Sequence, residues 1–280
     1  MKLLTLNTHS LAEADYEHKL YLFADMILKE QPDVFALQEV NQTITQAETE
    51  PGHDTGYRSC RDFDGPVRAD NHGLRLAGLF KDKGCPYYWT WVPAKVGYDV
   101  YEEGLALFSR SPIEDTSQFF ISRSQSFSNW KTRKVLGIRT RGQWFYSVHM
   151  GWWADPEEPF MLHWDRAAEQ IERRESRGEG AWIMGDFNSP SDKIGEGYDY
   201  VKSSGWFDTY DLALEKDSGI TVAKEIDGWR EGGLQAKGMR IDYIWCSQET
   251  EIIRSCVICN GSSYPVVSDH YGVMVITGQE

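Results

Sequence analysis

The sequence predicts an α/β (α+β) protein of four layers, two β-sheets packed face to face with helices outside. Three observations lead there. The chain opens with a strand-helix-strand pattern, segments with a two-residue alternation outnumber those with a helical period, and polar residues capable of chemistry collect at segment ends. With 280 residues, 41% of them hydrophobic, the chain can bury a large core. It contains no internal repeat and no linker-like shift in composition, so residues 1–280 read as one domain.

Residues Leu3 to Asn7 alternate as a short strand. From Tyr16 to Glu30, Leu20, Phe23, Ala24, Ile27 and Leu28 share one stripe, the spacing of an amphipathic helix, and Pro32 stops it. Val34 to Gln38 is apolar enough for a buried strand and ends at Glu39. Residues 41–75 are polar and rich in Gly, Asp and Arg, which predicts a long loop bordering the substrate pocket. His53, His72 and Arg75 in it read as surface residues. Leu76 to Phe80, Tyr88 to Val92 and Gly104 to Phe108 read as strands. Val135 to Thr140 and Trp144 to His149 form a hairpin around Arg141-Gly142. Phe160 to Arg174 has a helical period, and a strand follows from Ala181. Ile241 to Cys246, Ile252 to Ile258 and Tyr271 to Ile276 complete the strands.

The net charge of −14 disfavours a non-specific DNA or RNA coat, because polyanions are repelled at long range. One local cationic stretch stands out: Arg123, Lys131, Arg133, Lys134, Arg139 and Arg141, with no acid between the first and the last. Met1 leads directly into the first strand without a signal pattern, and no apolar run approaches the roughly 18 residues of a membrane span. Both features read as a cytoplasmic protein with no membrane partner. Five cysteines, an odd number, do not resemble a secreted disulfide framework. Cys256-Val257-Ile258-Cys259 is an isolated CxxC within a strand-like run, which reads as buried thiols.

The residues with chemical potential are few and well placed. Ile183-Met184-Gly185-Asp186-Phe187-Asn188-Ser189-Pro190 carries an acid and an amide two positions apart, so both can face one target from an extended backbone. Ser268-Asp269-His270 sets a second acid beside a histidine where another strand begins. Glu39 and Asn7 each end a strand, and Asp242 lies within an apolar strand, where a buried acid is costly without a fixed partner. His149 and His270 adjoin apolar strands. Oxygen ligands with imidazoles at strand ends point to a hard-metal phosphoester site.

Leu6-Asn7, Leu37-Gln38-Glu39, Glu103-Gly104-Leu105-Ala106, Ser147-Val148-His149, Gly185-Asp186-Phe187-Asn188, Arg240-Ile241-Asp242-Tyr243-Ile244 and Ser268-Asp269-His270, in this order, resemble the endonuclease/exonuclease/phosphatase (DNase I-like) superfamily nearly end to end. The resemblance implies the DNase I-like sandwich and in-line attack of water on a phosphoester without a covalent intermediate. It implies that Glu39 binds the metal, Mg²⁺ or Mn²⁺, with Asn7 and Asp269 completing or supporting that site. Asp186 then orients or deprotonates the water, and Asn188 and His149 contact phosphate oxygens. His270 stabilises the charged transition state, oriented by Asp242 or Asp269, and Glu103 matches an acid that fixes His149.

Fold does not choose among phosphoesters. Trp152 and Trp153 follow His149 closely, and two indoles beside a phosphate site offer a face for a sugar ring; their alternative role is packing. Trp130 is a third candidate. A basic residue near here contacts phosphate in the family, and Lys131 or Arg133 matches it, arginine suiting a bidentate grip. The opening Met1-Lys2-Leu3-Leu4-Thr5-Leu6-Asn7-Thr8-His9-Ser10 and the run His149-Met150-Gly151-Trp152-Trp153 are similar to a bacterial branch containing RgfB-like proteins and maltose 6'-phosphate phosphatase. That similarity implies a phosphatase whose partner is a small phosphorylated sugar. A Mg²⁺-dependent endo- or exonuclease acting on DNA is the alternative. A non-catalytic scaffold fits least, since every catalytic position holds a competent residue type.

Overall fold

The computed structural model describes residues 1–63, 65–174, 180–223 and 238–278. In chain order the longer strands are β1 (Lys2–Asn7), β2 (Val34–Thr43), β3 (Tyr88–Gly97), β4 (Tyr101–Ser109), β5 (Asp115–Phe120), β6 (Lys134–Thr140), β7 (Gln143–His149), β8 (Ala181–Asp186), β9 (Asp242–Cys246), β10 (Ile252–Ile258) and β11 (Gly272–Thr277). The longer helices are α1 (Tyr16–Glu30), α2 (His72–Asp82), α3 (Phe160–Arg174) and α4 (Gly197–Ser203).

Alternation along the central strands buries both of their faces. Leu3, Val34 and Ala36 point between the sheets, where they meet Leu136, Phe145 and Met184 of the facing sheet. Leu4, Leu6, Phe35 and Leu37 point outward onto Leu20, Phe23 and Ile27 of α1 and Leu76 and Phe80 of α2. On the other outer face, Tyr146, Ile183 and Trp245 pack against Trp164, Ala167 and Ile171 of α3. Four layers, helix-sheet-sheet-helix, follow from this sorting.

One sheet has the order Glu215–Lys216, β10, β11, β1, β2, β4, β3, and the other Phe207–Asp208, β9, β8, β7, β6, β5. Each is centred on a parallel pair, β1 with β2 and β8 with β7, and antiparallel partners flank both. No described helix is long and apolar enough to cross a membrane. All five cysteines are unpaired, and Cys256 and Cys259 are buried.

Two segments differ from the sequence reading. Leu76 to Phe80 is helical rather than extended. Asn71 Oδ1 accepts the Leu74 N–H at 3.0 Å, capping α2, and buried Gly73, Leu76, Ala77 and Phe80 lie at helical spacing. A five-residue apolar run satisfies either period, and only the cap and the neighbouring layer decide. Residues 41–75 are also not one loop. β2 continues to Thr43, Glu48–Thr49 pairs with Val67–Arg68, and Gln42 Oε1 accepts both the Arg68 N–H and the Asn71 Nδ2–H at 2.9 Å. β5 was not anticipated at all.

Within that segment His72 is buried rather than on the surface, with Nδ1 3.0 Å from the Tyr16 hydroxyl. Arg75 is half-buried, lies over the Tyr16 ring and grips Glu17. The side chain of His53 lies outside the described residues. Burial, helped by the Arg75 charge, lowers the His72 pKa to about 3. The unfolded chain binds this proton near 6.5, so the neutral imidazole's contribution is complete above that pH and is lost on acidification towards 3. Urea titrations between about pH 6 and 4 are expected to give a stability slope up to about 1.4 kcal/mol per pH unit smaller in His72→Gln than in wild type. Equal slopes would mean that His72 titrates normally.

Candidate active site

The ends of the central strands supply the site. β7 ends at His149 and β8 at Asp186, paired across the parallel ladder, and Asp242 opens β9 directly opposite Asp186. Asn7 ends β1 opposite Gln38. Gly185 has φ +151°, and a Cβ there would lie 2.0 Å from the Val148 carbonyl oxygen, so only glycine lets Asp186 stand this close to β7. Glu39 sits in a bulge of β2 between Leu37 and Val40, with φ +50°. Asn188 and His9 both have φ +47°. These left-handed conformations at non-glycine residues are held by their surroundings, and they cluster around one pocket.

Asp186 is the hub. Its Oδ1 accepts the Asn188 N–H at 2.8 Å and its Oδ2 accepts Asn7 Nδ2–H at 3.2 Å. The same Oδ2 lies 3.6 Å from His149 Nε2 and 3.8 Å from His270 Nε2. Burial raises the Asp186 pKa to about 7, against the His270 charge that pulls it down. A carboxylate with a pKa near neutrality is suited to take a proton from water.

The two histidines differ in charge. Burial disfavours the His270 cation, but the Asp242 and Asp186 carboxylates outweigh it and hold the pKa well above its usual value. His270 Nδ1 is 2.9 Å from Asp242 Oδ2, so Asp242, rather than Asp269, orients it. Asp242 Oδ1 is buried with no partner among the described residues. His149 is neutral, because burial and the Arg133 and Lys95 charges push its pKa well down. Glu103 Oε1 is 3.8 Å from His149 Nδ1, too far for a hydrogen bond, and 3.2 Å from Lys95 Nζ. The expected Glu103–His149 bond is thus displaced by a buried ion pair.

The expected metal set divides. Asn7 Nδ2 is 2.9 Å from Glu39 Oε1, whereas Asp269 groups with His9 and Glu13, ligand atoms within 4.8 Å of one another. Asp186, Asp242 and His270 form a second such group. Burial and the neighbouring Glu103 charge raise the Glu39 pKa, the mark of a carboxylate lacking enough positive charge. The unneutralised Glu39 carboxylate is a hard oxygen donor that fits a divalent cation such as Mg²⁺ or Mn²⁺, while Asn7 supports it through Nδ2–H and keeps Oδ1 on the His9 N–H at 3.2 Å.

Glu39, Asp186, Asn188, His149, His270 and Asp269 line one pocket of about 230 Å³ whose walls also include Tyr98, Trp130 and Trp152. Trp130 is 51% exposed and its ring centroid lies 5.6 Å from that of Trp152. Trp153 is not on the pocket wall. It packs on Phe160 and Tyr200 in the layer outside the second sheet. Of the cationic stretch, only Arg133 reaches the pocket. Lys131 is held by Asp155 and Glu157, Lys134 by Gln118, Arg139 by Glu114 and Arg141 by Asp33, while Arg123 donates to the Glu157 carbonyl. No described residue of 41–75 lines the pocket, since that segment lies beside β3 and β5.

Five pocket residues escaped the sequence reading, Val96 and Gly97 of the wall and three with polar side chains, His9, Lys95 and Tyr98. His9 bonds Glu13 through Nδ1 and the Tyr98 hydroxyl through Nε2, both at 2.9 Å. Lysine within the apolar run Val92-Pro93-Ala94-Lys95-Val96 was a usable signal for Lys95; nothing local marked His9 or Tyr98.

A model of the Endonuclease/Exonuclease/phosphatase family matches residues 4–270. No curated protein gives a significant sequence match. Among solved structures, an endonuclease/exonuclease/phosphatase family protein from Leptotrichia buccalis is 30% identical, with 100% of both chains covered and a TM-score of 0.83. A mannosyl-6-phosphatase from Bacteroides thetaiotaomicron is 16% identical over 99% of each chain, with a TM-score of 0.64. A 3' phosphatase from Neisseria, bound to a product DNA hairpin, is 17% identical over 100% of each chain, with a TM-score of 0.63. The last two share the fold, and their different substrates leave the substrate of this chain open. Strand-end carboxylates, two differently charged histidines and the match over residues 4–270 converge: the chain belongs to the endonuclease/exonuclease/phosphatase family of metal-dependent phosphoester hydrolases.

Proposed function

We propose that residues 1–280 act as one cytoplasmic domain, a Mg²⁺- or Mn²⁺-dependent phosphatase that frees phosphate from a phosphorylated sugar such as maltose 6'-phosphate. The observation carrying this reading is the pocket itself, about 230 Å³, with phosphate-directed groups inside and the Trp130–Trp152 pair on its wall. That volume accommodates one phosphoryl group and a sugar ring against an indole face. The net charge of −14 adds support, because it opposes a tracking surface for DNA. The mannosyl-6-phosphatase of the same fold shows that this scaffold serves such a substrate elsewhere.

Each residue then has a role. A divalent cation held by Glu39, with Asn7 supporting that carboxylate and Asp269 near, would neutralise charge on the phosphate oxygens. Asp186 Oδ2 accepts a proton from the attacking water as the water oxygen bonds phosphorus and the P–O(sugar) bond breaks, and the departing sugar oxygen takes its proton from solvent. His270, a cation held by Asp242, donates to the phosphate oxygen on which charge builds. Asn188, His149 and Arg133 hold the remaining oxygens.

The test is phosphate release with Mg²⁺ across a panel of hexose and disaccharide phosphates, with nicking of supercoiled plasmid in parallel. Release abolished by EDTA and by Glu39→Gln supports the proposal; nicking without release replaces it with the nuclease reading. Trp152→Ala is expected to raise KM for the preferred sugar phosphate about tenfold with little change in kcat, as loss of uniform binding does. Trp153→Ala is expected to lower Tm instead, since its ring packs away from the pocket. Equal kinetics for Trp152→Ala and wild type would remove the sugar platform.

A further inference from the structure

We infer that Lys95 makes this pocket selective for a terminal phosphate monoester over a phosphodiester, by placing a second fixed cation beside Arg133. The inference rests on the phosphatase reading and names the residue that sets its substrate class.

Lys95 stands on β3 at an irregularity of register after Pro93, opposite Glu103 of β4. It is 9% exposed and lines the pocket, and Glu103 is its one ion-pair partner among the described residues. An ammonium has three N–H donors, so this contact leaves donors for a ligand. Arg133, 3% exposed, spends Nε on the Met150 carbonyl and Nη1 on the Trp130 and Thr132 carbonyls. Its Nη2 takes no described hydrogen bond. The two cations are near enough to oppose each other's charge. Two confined cations with spare donors fit a ligand bearing two negative charges. A monoester carries nearly two at neutral pH, its second pKa lying near 6, and a diester carries one.

The wall next to Lys95 is tied to the segment that follows β5. Val96 N–H donates to the Phe127 carbonyl at 2.8 Å, joining β3 to the segment that carries Trp130. Val96, Gly97 and Trp130 all line the pocket.

Burying an ion pair adds little stability over apolar residues of similar size. A purely structural Lys95 therefore predicts that Lys95→Met leaves ligand affinity alone, while a phosphate-binding Lys95 predicts its loss. The experiment compares wild type, Lys95→Met, Lys95→Arg and Lys95→Gln, with Mg²⁺ present throughout. It measures the Kd for inorganic phosphate and kcat/KM for p-nitrophenyl phosphate and bis-p-nitrophenyl phosphate. Lys95→Met is expected to raise the Kd for phosphate and the monoester KM at least about tenfold. Its loss on the diester is expected to be several-fold smaller, and Lys95→Arg to recover most of the affinity. Lys95→Gln carries the same comparison if Lys95→Met does not fold. Unchanged phosphate affinity, or equal losses on the two esters, overturns the inference, the latter assigning Lys95 to holding Glu103. Wild type without monoesterase activity overturns the phosphatase reading instead, and the phosphate Kd still reports on Lys95.

Discussion

Asp186→Asn is expected to lower kcat by at least about 10³-fold while the protein stays folded. The two Asp186 oxygens are both committed: Oδ1 accepts the Asn188 N–H and Oδ2 the Asn7 Nδ2–H. An amide has one acceptor oxygen, so either orientation sets a donor against a donor at one of these contacts. It also removes the carboxylate with a pKa of about 7 that stands between His149 and His270, placed to take a proton from water. Stability is expected to move the other way. Burial raises the Asp186 pKa from 3.8 to about 7, so its ionised form weakens the fold above that range. The variant's Tm near pH 8 should equal or exceed that of wild type, a trade of stability for activity common at catalytic centres. A kcat within tenfold of wild type would remove Asp186 from the chemistry; steady-state kinetics with a thermal melt decide it.

Asp242→Asn is expected to cost about 10² to 10⁴ in kcat, as removal of the orienting acid from a histidine does in acid-histidine catalytic systems. Asp242 Oδ2 fixes His270 Nδ1 at 2.9 Å and is the largest contributor to holding the imidazole cationic against burial. An asparagine keeps the shape and loses the charge. Burial then dominates, the His270 pKa falls, and the cation is lost at lower pH. The alkaline limb of the kcat/KM profile should therefore move down in pH, while the acid limb should not move up with it. An alkaline limb unchanged from wild type would mean that His270 does not act as the protonated donor.

These outcomes depend on features that the sequence carried unequally. Leu3, Val34, Ala36 and their outward neighbours were legible because alternation is local, and a strand buried on both faces still alternates between two different layers. Leu76 to Phe80 was not, because five apolar residues fit a helix or a strand until Asn71 caps one of them. The polar site candidates at strand ends were legible as well, since Asp186, Asn188, His149 and Asp242 each break an apolar run at its edge. Trp153 and Lys131 were misplaced for the same physical reason. Both adjoin pocket residues in the chain, and both found better partners outside it, Phe160 and Tyr200 for one and Asp155 and Glu157 for the other.

The sequence by itself thus determined the layer architecture, the family and the roster of acids, amides and histidines, all of which are read from period and residue type. Only the tertiary structure decided that Asp242 serves His270, that Lys95 takes Glu103 from His149, and that Arg133 alone of its stretch faces the pocket. The reason is that a charge's role depends on which partner neutralises it and how far water is excluded, and both are fixed by residues distant in the chain.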